Sequence, residues 1–136
     1  MRKNRMKTPT WKELKKVVRD GKLEAYLDSV PMKQRPATAL ALSVAHWHRS
    51  ERDWIWENEN IAVSTDYCGL CTLYDPMSCW SCPLRQKAGA CGKTEANPWG
   101  RVNAAIFYGE RKAFDHYADK MFNILVELYE EEWAEL

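Results

Sequence analysis

The sequence predicts an all-α fold, a small helical bundle interrupted by one cysteine-rich loop. Apolar residues recur three or four positions apart in residues 11–20, 37–56 and 110–136, and this spacing indicates amphipathic helices. By contrast, residues 68–91 lose the period and are rich in Gly, Pro, Ser and Asp, which indicates a loop. The chain has 136 residues, of which 46% are hydrophobic and 29% charged. These values are typical of one folded domain, which we expect to span residues 1–136.

Helical segments are predicted at three places in the first half of the chain. Thr10 and Glu13 fit a capping box that begins the first helix, and Gly21 ends it. A short helical turn is expected at residues 23–27. The most regular amphipathic pattern of this half runs through residues 37–56, so we expect a helix over that stretch. Its apolar positions are Leu40, Val44, Trp47, Trp54 and Ile55.

Two more helices are predicted in the last third. One covers residues 99–108, and a longer one runs from Glu110 to the C-terminus, with Gly109 between them. The apolar positions of the longer helix are Phe114, Tyr117, Met121, Ile124 and Leu128. Because they step by three or four residues, we expect this face to pack against the helix of residues 37–56.

Four of the five cysteines form two Cys-x-x-Cys pairs, a spacing typical of metal ligands. The five are Cys68, Cys71, Cys79, Cys82 and Cys91. Two thiolates from one turn can bind the same ion, and a second pair completes a tetrahedral site with Zn–S bonds of roughly 2.3 Å. We therefore predict a structural zinc ion within residues 66–93, held by four of the five cysteines. Cys91, which stands apart from the pairs, is the first candidate for the spare one. The predicted fold class is thus an all-α bundle with one zinc-stapled loop insertion.

Other uses of these cysteines depend on the compartment. Residues 1–10 lack the apolar stretch of a secretory signal, and no apolar run approaches the roughly 18 residues that cross a bilayer. We therefore expect a cytoplasmic protein without a membrane partner, in which thiols stay reduced. An iron–sulfur cluster or a redox dithiol remains an alternative. The spacing matches no ferredoxin pattern, however, and no strand–helix context of thioredoxin type surrounds the pairs.

Catalytic residues are not predicted anywhere in the sequence. A zinc ion with four thiolates has no open position for water. The deaminase signature needs His-x-Glu, whereas His48 and Glu51 are three positions apart. The sequence also has no Gly-rich phosphate loop, HExxH motif or nucleophile elbow. We expect neither an enzyme nor a small-molecule substrate.

Aromatic and basic residues in and beside the cysteine loop are candidates for partner binding. Tryptophan offers a large apolar area for few frozen torsions, and it is common at interfaces. The candidate partner-binding residues are Trp80, Trp99, Arg85 and Lys87. Three other tryptophans, Trp11, Trp47 and Trp54, lie on periodic apolar faces, so we expect them in the core.

Charge is distributed unevenly along the chain, although the formal net charge is only +1. The first sixteen residues contain seven Lys and Arg residues and one Glu, and the last ten contain five Glu and no base. Solvated helix ends explain both runs most simply. A basic arm also suits phosphates, so a zinc-stabilised nucleic-acid-binding module is the alternative function. The pI of about 7.6 is low for a dedicated nucleic-acid-binding domain, which favours a protein partner.

A family resemblance rests on the cysteine loop and its surroundings. The motifs are Cys68-Gly-Leu-Cys71, Cys79-Trp-Ser-Cys82-Pro83-Leu84 and Gly89-Ala-Cys91-Gly92, with Ala45-His46-Trp47 upstream. Between helices, this arrangement resembles small uncharacterised bacteriophage proteins over residues 40–136. The resemblance implies a phage-encoded, metal-binding protein of the host cytoplasm, and it implies no catalytic residue. A host or phage protein is then the expected partner, and inhibition of a host defence or another host system is the first hypothesis.

Overall fold

The computed structural model of the protein describes residues 10–58 and 98–134. Within these two ranges the chain is all-α and contains no strand, which confirms the predicted all-α class; the predicted zinc-stapled loop lies outside the described residues. The α-helices described are α1 (Trp11–Arg19), α2 (Leu23–Asp28), α3 (Arg35–Trp47), α4 (Arg52–Glu57), α5 (Trp99–Phe107) and α6 (Arg111–Ala134). Two single-turn 3₁₀ helices, Met32–Gln34 and Arg49–Glu51, precede α3 and α4.

Helix α1 begins and ends as its sequence predicts. The Oγ1 atom of Thr10 accepts a hydrogen bond from the backbone N–H of Glu13 at 3.2 Å, which satisfies one of the free donors at the helix start. Gly21 follows the helix with a φ of 67°, in the left-handed region that favours glycine. Its N–H donates to the carbonyl of Val18 at 3.0 Å and closes the last turn.

The expected helix over residues 37–56 is divided in two, which corrects the sequence analysis. His48 has an extended backbone (φ −60°, ψ 146°) and ends α3, and the chain resumes in a 3₁₀ turn before α4. The guanidinium of Arg52 donates to the carbonyl oxygen of Trp47 from Nη2 at 3.0 Å and from Nε at 3.2 Å. Ile55 of α4 is buried, so the apolar period continues across the break. The sequence pattern therefore does not reveal that the helix is divided.

Helices α5 and α6 form the predicted pair around Gly109. This glycine has a φ of 68°, and the N–H of Glu110 donates to the carbonyl of Ala105 at 2.8 Å. The bond satisfies a carbonyl at the end of α5 and turns the chain into α6. No helix in the part of the chain that the structure describes is both long enough and apolar enough to cross a membrane.

All six α-helices contribute to one hydrophobic core, and α3 lies at its centre. Helix α6 packs mainly against α3 and α5. The contact with α3 is the one that the sequence predicts. Helix α1 also packs against α3. The buried residues of α6 are Phe114, Ala118, Met121, Leu125 and Leu128. They alternate steps of four and three residues, the spacing of a heptad seam. Tyr117 and Ile124, expected on this face, are partly buried at the edge of the core.

The expected core tryptophans have three different environments. Trp47 is buried, and Trp54 is partly buried against the core. Trp11, in contrast, is 45% exposed, which corrects the expectation. Its ring lies edge-on to Tyr129 at a centroid distance of 5.9 Å, so the start of α1 lies beside the last third of α6.

Candidate functional site

The predicted zinc ligands lie outside the described residues. So do three of the candidate partner-binding residues. These predictions concern Cys68, Cys71, Cys79, Cys82, Cys91, Trp80, Arg85 and Lys87, all within residues 59–97. Trp99, the fourth candidate partner-binding residue, is the first residue of α5. The structure does describe the helices on either side of this segment.

Helix α4, which precedes the cysteine-bearing segment, is attached to the first turns of α6. The Nη2 atom of Arg111 donates to Oδ1 of Asp53 at 2.8 Å. The same guanidinium lies 5.5 Å from the ring centre of Trp56, whose ring lies 5.4 Å from that of Phe114. The Arg111 guanidinium thus forms a hydrogen bond with Asp53 in the first turn of α4 and a cation–π contact with Trp56 in its last turn.

Helix α5, which follows the segment, contacts the next turn of α6. The guanidinium of Arg101 lies 5.9 Å from the ring centre of Tyr117, and Val102 is buried in the core. Tyr117 is three residues beyond Phe114, so the two contacts on α6 lie about 5 Å apart along its axis. The helices that flank residues 59–97 are therefore both anchored to the N-terminal half of α6.

Histidines and carboxylates of the described residues do not form a metal site. Within residues 10–58 and 98–134, no group of three or more His, Cys, Asp or Glu side chains could hold a metal ion. His46 is buried in α3 with its ring 5.1 Å from that of Trp47. His116 lies on α6 with its ring 4.9 Å from that of Tyr117. The cysteines remain the predicted ligands.

An exposed aromatic pair marks the turn between α5 and α6. Phe107 is 81% exposed and Tyr108 is 71% exposed. Their rings lie 5.1 Å apart and nearly perpendicular, at 84°. Sequence analysis placed the partner surface on Trp80 and Trp99 and missed this pair. The signal that was available is the position of two large aromatic residues at a helix end, directly before the turn glycine Gly109.

The corner between α3 and α4 is a cluster of charged side chains. Arg19 of α1 donates to the two carboxylate oxygens of Glu51 at 2.6 and 3.0 Å, and the Glu51 side chain is only 6% exposed. The side chain of Arg52, also 6% exposed, donates to Oδ1 of Asp119 in α6 at 2.9 Å. These two ion pairs connect the corner to α1 on one side and to α6 on the other.

His48 lies at the centre of this corner. Its Nδ1 atom is 3.1 Å from the backbone nitrogen of Ser50, 2.9 Å from Oγ of Ser50 and 3.4 Å from Nζ of Lys15. The ring is nearly perpendicular to that of Phe122, at 5.7 Å. Partial desolvation of its ring lowers the pKa of His48 below its ordinary value of 6.5, although the residue is exposed, and the ammonium of Lys15 lowers it further.

No family model matches the chain, and no curated protein or solved structure matches it either. Its function is therefore argued from its own residues.

Proposed function

We propose that the protein is a non-enzymatic, zinc-binding protein of phage type that acts by binding another protein. Its place of action is the cytoplasm of the host cell, and its partner is a host or phage protein. Inhibition of a host defence or another host system is the role that this setting favours. The main observation in favour of protein binding is the exposure of the adjacent side chains Phe107 and Tyr108.

The aromatic pair supports a protein partner through its exposure and its stiffness. Two adjacent rings at 81% and 71% exposure leave a large apolar area in water. Each ring has only two side-chain torsions to freeze on binding, so the entropic cost is small for the area that a partner would cover. The tyrosine hydroxyl adds a hydrogen-bonding group at the edge of this area.

Capture experiments with matched variants test this surface. The protein is used to capture partners from infected bacterial cells, in parallel with Phe107→Ser/Tyr108→Ser and with Met32→Ser. Met32 is 77% exposed on the turn before α3, so its variant removes apolar area of similar exposure elsewhere. We expect a partner that the wild type and Met32→Ser both capture and that the double variant loses. Equal capture by all three proteins would exclude the pair as the binding surface.

Zinc binding is supported by the donor set. Four thiolates in two Cys-x-x-Cys pairs match a closed structural zinc site. Such sites contribute on the order of 10 kcal/mol of apparent binding energy.

Metal analysis with two cysteine variants tests the zinc proposal. Protein purified without chelator should contain about one zinc ion per chain, the usual content of a four-thiolate site. Cys82→Ser should lose the metal, whereas Cys91→Ser should keep it if Cys91 is the spare cysteine. Iron with acid-labile sulfide, or no metal, would contradict the proposal. Loss of zinc in Cys91→Ser alone would assign Cys91 to the site instead of Cys82.

Nucleic acid is the second candidate partner, because α1 exposes Lys12, Lys16 and Arg19 after a basic arm. Two of these charges are already partnered, since Lys16 pairs with Asp20 at 2.8 Å and Arg19 pairs with Glu51. Phosphate binding would weaken by roughly 0.9 log units per log unit of salt for each duplex phosphate neutralised. We expect no tight complex with DNA or RNA at physiological salt. A sub-micromolar, salt-sensitive complex would favour nucleic acid over protein.

A further inference from the structure

The environment of His48 specifies the protonation state of its ring. Of the three groups around Nδ1, the backbone N–H of Ser50 and the ammonium of Lys15 can only donate hydrogen bonds. The third, the hydroxyl of Ser50, accepts from Lys15 Nζ at 2.7 Å and so keeps its own hydrogen to donate. That hydrogen can go to Nδ1 at 2.9 Å or to Oε2 of Glu51 at 3.3 Å, and the shorter distance favours Nδ1.

The backbone N–H of Ser50 is directed at Nδ1 and needs a lone pair there. This contact assigns the ring as a neutral imidazole with its hydrogen on Nε2. Adding a proton to Nδ1 would point an N–H at an amide N–H and at an ammonium group. The same proton would remove the side-chain acceptor that caps the 3₁₀ helix Arg49–Glu51.

The charges around the ring are mostly positive. Lys15 and Arg19 face the corner from α1, Arg49 and Glu51 lie in the 3₁₀ turn, and Arg52 lies in α4. The charges of Glu51 and Arg52 are already paired, with Arg19 and with Asp119 of α6. Within residues 10–58 and 98–134, Glu51 is the carboxylate that acts on the ring, and it is shared with the guanidinium of Arg19, which limits how far it can stabilise an imidazolium.

We propose that His48 is an acid-sensitive latch of the corner between α3 and α4. Neutral His48 holds Ser50 and Lys15, and so holds the start of α4 on α1. Protonated His48 releases both, which loosens the corner from which α4 leads to the cysteine-bearing segment. Since His48 is exposed, solvent protons reach the ring without prior unfolding.

The direction of the pH effect follows from linkage. A histidine whose folded pKa lies below 6.5 binds its proton more weakly in the folded chain than in the unfolded chain. Its contribution to stability is therefore fully present above pH 6.5 and is lost as the pH falls through the folded pKa. The corner should be closed at neutral pH and open progressively under mildly acidic conditions.

Nuclear magnetic resonance of the full chain tests the latch directly. The three histidines are titrated by their ring signals, and the ring nitrogen shifts identify the tautomer. We expect His48 to titrate below 6.5 with its hydrogen on Nε2 at neutral pH. The protection factor of the Ser50 amide, which is the intrinsic exchange rate at each pH divided by the observed rate, should fall roughly fivefold once the ring is protonated, as expected for the loss of one net hydrogen bond. A titration at or above 6.5, or a hydrogen on Nδ1, would overturn the proposal.

A variant that caps without titrating separates the latch from general acid sensitivity. In His48→Asn the amide oxygen can accept the Ser50 N–H and cannot be protonated in this range. We expect the Ser50 protection factor of this variant to stay constant over this pH range, and that of His116→Gln to fall as in the wild type. His116 is the matched control because it is an exposed histidine on α6 whose ring contacts Tyr117. If His48→Asn kept the full pH dependence, another group would be responsible and the latch would be wrong.

Discussion

The interface of α3 with α6 and the corner between α3 and α4 are stabilised in opposite ways. The interface is apolar, because both helices carry a series of buried residues, among them Leu40 and Leu42 on α3 and Phe114 and Met121 on α6. The corner depends instead on single polar contacts, of which the ion pair of Arg19 with Glu51 is an example. Apolar packing tolerates many residues of similar volume, whereas each corner contact requires one particular partner.

This difference determines how the two regions should respond to substitution. In the interface, the loss of unfolding free energy grows with the apolar volume removed and with the cavity that remains. In the corner, the loss of unfolding free energy depends on whether a buried charge keeps a partner. Paired substitutions that change one property at a time can therefore distinguish the two regimes.

The largest effect is expected at Phe114 in the interface. Phe114 is fully buried, so Phe114→Ala should lower the free energy of unfolding by about 3 to 5 kcal/mol. Phe107→Ala is the matched control, because the same side chain is 81% exposed at the end of α5. Chemical denaturation should show no change beyond error in the control. Similar losses in both variants would mean that Phe107 also belongs to a packed surface.

The interface could be predicted from the sequence because its signal is periodic and local. The predicted face of α6 contained three of the five residues that are buried among those whose side chains are described on this helix, Phe114, Met121 and Leu128. Tyr117 and Ile124 are only partly buried beside them, because a step of three and a step of four are equally compatible with a helix. Only packing in the folded chain places Ala118 and Leu125 at the centre of the face.

The end of the interface gives the next prediction. Leu128 is buried near the last turns of α6, so Leu128→Ala should cost more than about 2 kcal/mol. Lys120→Ala is a control on the same helix, because Lys120 is exposed. If Leu128→Ala were neutral in thermal and chemical unfolding, the end of α6 would not stabilise this fold. It would then be available to a partner.

The polar corner could not be predicted, because its partners are far apart in sequence. Arg19 and Glu51 are 32 positions apart, and Arg52 and Asp119 are 67 positions apart. No spacing rule connects such residues. The break at His48 could not be predicted for another reason: the apolar period resumes at Ile55 as if the helix were continuous.

The cysteine prediction has a different basis from both regions. The spacing of Cys68, Cys71, Cys79 and Cys82 carries chemical information without any helix or strand around it. It predicts a metal site and says nothing of a partner. The exposed pair Phe107 and Tyr108 differs from it, because the sequence shows the position of these rings before Gly109 but not their exposure, which is a property of the folded chain.

A smaller effect is expected for the ion pair at the corner. Arg19→Met keeps an aliphatic stem but removes the guanidinium, which lies 5.5 Å from the ring centre of Trp54 and is the bidentate partner of the buried Glu51 carboxylate. We expect Arg19→Met to lower the free energy of unfolding by about 1 to 3 kcal/mol. Lys16→Met is the control, because the ion pair of Lys16 with Asp20 is on the surface of the same helix and should contribute nothing measurable.

A double-mutant cycle decides whether the Arg19 effect belongs to this pair. Glu51→Gln removes the buried charge, so adding Arg19→Met to it should cost less than Arg19→Met alone. Additive losses would show that Arg19 acts through its contact with Trp54 instead. The corner would then resemble the interface, and the contrast between the two regions would weaken.

The smallest effect concerns Thr10, a polar contact that the sequence did predict. Its side chain accepts the N–H of Glu13 at 3.2 Å, so Thr10→Ala should cost about 1 kcal/mol, whereas Thr10→Ser should retain most of the stability. Thermal unfolding of the two variants measures the difference. The contact was predictable because donor and acceptor are three residues apart within one helix start, a distance at which a local rule applies. If Thr10→Ala and Thr10→Ser were equally stable, the cap would contribute nothing, and the predictable polar contacts of this chain would be the dispensable ones.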